Sequence, residues 1–157
     1  MYTSSTVAQN GKATTEKKTF SRTTTISQMI DAEASTLWSL LTRAADISRW
    51  NSTILSIEGQ IKPGEKIKLK STLDPSRTFK LKVKEFLPNQ RLVWGDAMGE
   101  RTYELEEKGN QTLFTMTEKI GGFMFPLFAN KIPSFDASFE QFAADLKKEA
   151  ENASTSK

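Results

Sequence analysis

The chain has 157 residues, a formal net charge of +3, and neither histidine nor cysteine. Those two absences exclude a Ser-His-Asp triad, a Cys-His pair, a disulfide, a thiolate metal site and an ordinary zinc centre. The small positive charge is spread over lysines that alternate with apolar residues, which is the pattern of a solvated strand face rather than of a nucleic-acid patch.

One domain is the natural count at this length, and 37% apolar residues can fill a core. No run of about 18 apolar residues exists to span a bilayer, and the N-terminus lacks the apolar centre of a signal peptide. The cytoplasm is therefore the default compartment. No acidic cluster suggests a hard-cation site, so neither metal nor cofactor is expected. Residues 1–19 are rich in Thr, Ser and Lys and read as a disordered leader. The ordered domain is placed at residues 20–151, with 152–157 as a frayed tail.

Phe20 to Ile30 is β-rich, and Asp31-Ala32-Glu33-Ala34 breaks it. A helix follows from about Ala34 to Thr42, with Leu37, Leu40 and Leu41 inward, Trp38 alongside, and Ser35 or Asp31 as a cap. A second short helix covers Ala44 to Ser48. From Thr53 the apolar period becomes two. Strands are predicted at 54–59, 66–73, 78–85, 90–94, 100–107 and 111–120, separated by Pro-Gly, Asp-Pro-Ser, Pro-Asn and Gly-Asn turns.

Parity across those turns gives a register. A three-residue loop at 74–76 pairs Ser71 with Phe79 and Leu69 with Leu81. A two-residue loop at 88–89 pairs Val83 with Trp94 and Glu85 with Leu92. A two-residue loop at 109–110 pairs Leu105 with Phe114, Tyr103 with Met116, and Arg101 with Glu118. Gly121-Gly122 ends the last strand, and an apolar connection holding Phe123, Phe125 and Phe128 leads onward. It reads as a lid, a membrane- or subunit-facing loop, or a cover over the sheet end. Pro133 to Glu151 then reads as one long helix. Phe135, Phe139, Phe142, Ala143, Leu146 and Ala150 form its apolar stripe, and Pro133 suits its first turn.

The order is thus α+β: one strand, two short helices, six meandering strands, and a long C-terminal helix. Two stretches carry a family resemblance. Ile30-Asp31-Ala32, Leu37-Trp38-Ser39-Leu40-Leu41 and Trp50-Asn51 resemble the opening of the START-like (SRPBCC, Bet v 1-like) superfamily. Phe86-Leu87-Pro88-Asn89-Gln90-Arg91-Leu92-Val93-Trp94 and Arg101-Thr102-Tyr103-Glu104-Leu105 resemble its polyketide cyclase/dehydrase-type branch. The resemblance spans residues 20–151. It implies a helix-grip fold, in which a curved seven-stranded antiparallel sheet wraps the long helix around a cavity for a hydrophobic or amphipathic small molecule.

On that footing the register puts Phe79, Leu81, Trp94, Tyr103, Phe114 and Met116 on the helix-facing side as candidate ligand contacts. The helix supplies Phe135, Phe139 and Phe142, and the apolar connection Phe125 and Phe128. Trp50 either closes the cavity mouth or packs the short helices onto the sheet. Arg101 and Glu118 are candidate polar anchors, or else a half-solvated cross-strand pair. Three functions are weighed: a carrier of a lipid or polyketide-like molecule, a polyketide cyclase or dehydratase in which Arg101 steadies an enolate while Glu118 or Tyr103 moves protons, and a co-chaperone-like interaction module. The expected partner is a hydrophobic small molecule, without nucleic acid, for a monomer or homodimer.

Overall fold

The computed structural model describes residues 10–155. Its architecture is α+β. Eight strands form one antiparallel sheet, in the spatial order β1-β2-β8-β7-β6-β5-β4-β3. They are β1 Thr14–Lys17, β2 Ser21–Ile30, β3 Ile54–Glu58, β4 Lys66–Ser71, β5 Asp74–Leu87, β6 Arg91–Gly95, β7 Gly99–Lys108 and β8 Gln111–Gly121. Helices α1 Ala34–Thr42 and α2 Ala44–Trp50 carry the chain from β2, beside one edge, to β3 at the other. Helix α3 Phe125–Phe128, a 3-10 turn Ala129–Lys131 and helix α4 Asp136–Thr155 complete the chain.

The apolar stripe of α4 is buried at every expected position, from Phe135 to Ala150. Its ring face meets the sheet: Phe142 stacks on Tyr103 and Phe114 at centroid distances of 5.6 and 6.2 Å. Leu37 and Leu41 of α1 are buried as expected, with Trp38 close to it. Trp50 packs edge-on against Phe142 at 5.9 Å. Asn51 fastens this junction: its Nδ2 donates to the Phe142 carbonyl at 3.3 Å, while its Oδ1 accepts from Thr53 N and Oγ1.

The sequence expectations are corrected at several points. There are eight strands, not seven, because Thr14–Lys17, placed in the leader, pairs with Arg22 to Thr25 of β2. This edge strand is held by polar contacts that have no hydrophobic signature. Ala13 N donates to Glu140, and Thr15 Oγ1 donates to Asp136 at 2.5 Å. Residues 1–9 and 156–157 lie outside the described residues. The supposed tail is helical to Thr155. Pro133 stands ahead of α4, since its carbonyl accepts from Arg22 Nη2 at 2.7 Å. Neither Ser35 nor Asp31 caps α1; Glu33 holds that position without a side-chain bond, and Asp31 N donates to Glu151.

Register errors arise at bulges. The β4–β5 turn closes early, with Ser71 Oγ accepting from Leu73 N at 3.1 Å, so Leu69 faces Phe79 and Ser71 faces Asp74. The next turn takes one residue more than expected. A bulge between Val83 and Glu85 absorbs it, which keeps Val83 opposite Trp94 but sets Phe86, not Glu85, opposite Leu92. The three pairs expected for the β7–β8 hairpin all stand as read, including Arg101 opposite Glu118. Bulges bend and twist the strands that carry them, and register shifts of this kind fall in the β3–β4, β4–β5 and β5–β6 pairs.

Candidate functional site

The space between sheet and helix is divided. Toward the α1–α2 side it is solid: Tyr103, Phe114 and Phe142 stack on one another, and with Met116 and with Phe139, which stacks on Phe135 beside the cavity, they are at most 2% exposed. These five expected ligand contacts are core, because three rings stacked between sheet and helix leave no gap. At the opposite end, beneath the open ends of β6–β8, a cavity of about 220 Å³ remains.

Phe79, Leu81, Trp94, Arg101, Glu118 and Phe135 line that cavity, so six of the thirteen residues expected to bind ligand meet there. Phe125 and Phe128 do not. They pack edge-on against each other at 5.8 Å, and Phe125 is buried. The exposed part of that connection is Phe123, Met124 and Leu127. Trp50 is likewise away from the cavity.

Several lining residues escaped the sequence reading. Leu69 and Ile120 share the inward parity of their strands, so alternation alone marked them. Ile132 and Pro133 carry no such signal. They are positioned by Arg22, a buried residue on the helix-facing side of β2, whose Nη1 and Nη2 donate to their carbonyls at 3.1 and 2.7 Å. The Arg22 guanidinium also lies 4.7 Å from the Phe135 ring centroid. Burial lowers its pKa, against the pull of Glu118 and Asp136. A second, polar cleft of about 410 Å³ opens between β1 and the 125–131 segment, with Lys17, Lys18 and Asn130 on its walls. It lacks an enclosing apolar shell.

The polar feature of the apolar cavity is the Arg101–Glu118 pair. Nε donates to Oε1 at 3.0 Å, and the two side chains are 10% and 18% exposed. Burial disfavours the guanidinium charge, but the Glu118 carboxylate beside it outweighs that, so the pKa of Arg101 is raised. The Tyr103 hydroxyl lies below, near enough to feel that charge, yet without a hydrogen-bond partner of good geometry. Burial raises its pKa and keeps it a neutral phenol. The pair therefore brings a donor fork and an acceptor to an apolar wall without net charge. No group of three or more acidic side chains gathers to hold a metal ion among the described residues.

A curved antiparallel sheet gripping a C-terminal helix, with a cavity at one end, defines the START-like class. The chain belongs to the family of Activator of Hsp90 ATPase homolog 1-like proteins, which it matches over residues 31–151. No curated protein matches it in sequence. Among solved structures it is similar to a conserved protein of unknown function from Enterococcus faecalis, at 18% identity and a TM-score of 0.64 over 87% of this chain and 75% of that one. A START superfamily protein from Mycobacterium smegmatis aligns at 16% identity and a TM-score of 0.61, covering 83% and 98%. The Aha1 dimer from Colwellia psychrerythraea aligns at 20% identity and a TM-score of 0.60, covering 81% and 94%. At such identities the likeness is one of fold. Among the described residues, no helix is long and apolar enough to cross a membrane.

Proposed function

We propose that this chain binds a small, largely apolar molecule non-covalently in the cavity beneath the open ends of β6–β8. The observation that carries this reading is a mostly apolar cavity into which the largely enclosed, charge-balanced Arg101–Glu118 pair projects, with further charged residues such as Asp74, Arg77 and Lys131 toward its more open side. Ligand sites commonly combine mostly apolar walls with a few fixed polar groups in this way. Affinity would come from buried ligand surface, at about 25 cal/mol per Å² before ordering costs.

Size narrows the ligand. A 220 Å³ space falls below the ~300–1,000 Å³ of drug-sized sites. A molecule of about two fused rings fits inside it, and a long acyl or poly-keto chain would have to extend past the exposed residues Arg77 and Lys131. That counts against the cyclase reading, as does the sealed Tyr103 hydroxyl, which no substrate reaches.

Native mass spectrometry of protein purified from its own host tests the proposal. A bound mass is expected on the wild type and not on Ile120→Phe, whose larger ring occupies the cavity. An equal bound mass on both proteins, or none on either alongside no thermal shift with apolar probes, would sink it.

The family name favours a second reading, contact with an Hsp90-type ATPase. Phe123, Met124 and Leu127, at 88%, 54% and 73% exposed, offer an apolar tip for such contact. An ATPase rate of purified Hsp90 that the chain leaves unchanged would dispose of this reading.

A further inference from the structure

The chemistry of the cavity wall selects among small apolar ligands, and that selection rests on the binding function proposed for the cavity. Arg101 and Glu118 share a single hydrogen bond, Nε to Oε1 at 3.0 Å. Apart from the approach of the guanidinium to the Tyr103 hydroxyl, the Nη groups of Arg101 and the second oxygen of Glu118 make no hydrogen bond of good geometry to a described residue. Both side chains line the cavity, and the little surface they keep faces it. Immediately around them stand Leu81, Trp94, Ile120 and Phe135, of which only the Trp94 indole N–H can hydrogen-bond a ligand, while Asp74, Arg77, Asp96 and Lys131 sit at the more open parts of the cavity.

We infer that the ligand is an uncharged molecule with a hydroxyl or amide head that accepts from Arg101 and donates to Glu118. The pair sums to zero charge, so a ligand carboxylate would bring an uncompensated negative charge beside Glu118 in a poorly solvated space. A ligand ammonium would do the same beside Arg101. A purely apolar ligand would cover the spare donors and acceptor without replacing the water they lose, which is costly. Only a neutral head with both a donor and an acceptor satisfies the two sides together. The Phe139 ring, 5.1 Å from the Arg101 guanidinium carbon, holds the fork in place for it.

Naphthalene, 2-naphthol and 2-naphthoate have nearly the same apolar body and differ in the head. Trp94 lines the cavity, so tryptophan fluorescence at neutral pH reports their binding. Naphthol is expected to bind at least about tenfold more tightly than naphthalene, the worth of one well-made polar contact, and naphthoate no more tightly than naphthalene. In the charge-balanced double variant Arg101→Leu/Glu118→Leu the naphthol advantage disappears while naphthalene still binds. Glu118→Gln, nearly isosteric, is the second variant: removing the repelling charge should strengthen naphthoate about tenfold. Naphthoate tightest on the wild type, or a naphthol preference unchanged in the double variant, overturns the inference while the binding reading stands. No binding of any of the three to the wild type overturns both.

Discussion

The guanidinium carbon of Arg101 stands 5.1 Å from the centroid of the Phe139 ring, while its Nε donates to Glu118 at 3.0 Å. One residue of β7 is therefore held by a residue of β8 and by the helix at once. Removing the arginine alone strands a carboxylate that is 18% exposed. Arg101→Leu is expected to cost about 3 kcal/mol, whereas Arg101→Leu/Glu118→Leu should return to within about 1 kcal/mol of the wild type or exceed it. Urea unfolding of the four proteins measures the cycle. Additive losses would mean that the pair is not coupled.

Tyr103 is 1% exposed, and among the described residues its hydroxyl has no hydrogen-bond partner of good geometry, with the Arg101 guanidinium nearby. Replacing it with Phe removes an unsatisfied group and fills the same space, so Tyr103→Phe should stabilise by about 1 kcal/mol. The pH dependence has a definite sign. Burial raises the pKa of the folded phenol above the ordinary 10.0, so the folded state holds its proton longer than the unfolded state. That contribution is whole below pH 10.0 and is lost as pH rises toward the folded value. The wild type should lose stability above about pH 10 faster than Tyr103→Phe. Phenolate absorbance should show Tyr103 ionising only as the protein unfolds. Equal alkaline midpoints for the two proteins would contradict this.

Phe142 sits at the centre of the solid half of the interior, against Trp50, Tyr103 and Phe114. Phe142→Ala should cost about 3–5 kcal/mol, since the stacked rings cannot collapse fully into the gap. Thermal and chemical denaturation check the magnitude. A loss under about 1 kcal/mol would mean that the ring stack is loosely packed.

Gly95 and Gly99 flank the loop at the cavity rim and make a matched pair. A Cβ on Gly95 would lie 2.4 Å from the Gly99 carbonyl oxygen and 2.9 Å from Glu100 Cα, so the two strands would have to part. A Cβ on Gly99 would meet Ile120 Cγ1 at an ordinary 3.5 Å. Gly95→Ala should cost about 2–3 kcal/mol and disturb the cavity, whereas Gly99→Ala should stay within about 0.5 kcal/mol. Melting temperatures of the two variants decide it. Indistinguishable values would refute the close approach.

What the sequence determined by itself is what periodicity encodes. The alternation in β4 and in the β7–β8 hairpin and the 3.6-residue stripe of α4 give each element its buried face, and burial of apolar surface then forces sheet and helix together. The Arg101–Glu118 juxtaposition was legible because a tight Gly-Asn turn transmits register without error. Bulges near Ser71 and Glu85 broke the other registers, since a bulge adds a residue without changing the apolar pattern. β1 was hidden for a related reason: an edge strand held by backbone pairing and by Glu140 and Asp136 needs no apolar residues. Only the tertiary structure decided where the interior is solid and where it is hollow. That depends on how the volumes of Tyr103, Phe114 and Phe142 sum across three separate elements, and on Arg22 holding Ile132 and Pro133 at the cavity wall. No local pattern encodes such a sum, because packing is a property of side chains that meet from distant parts of the chain.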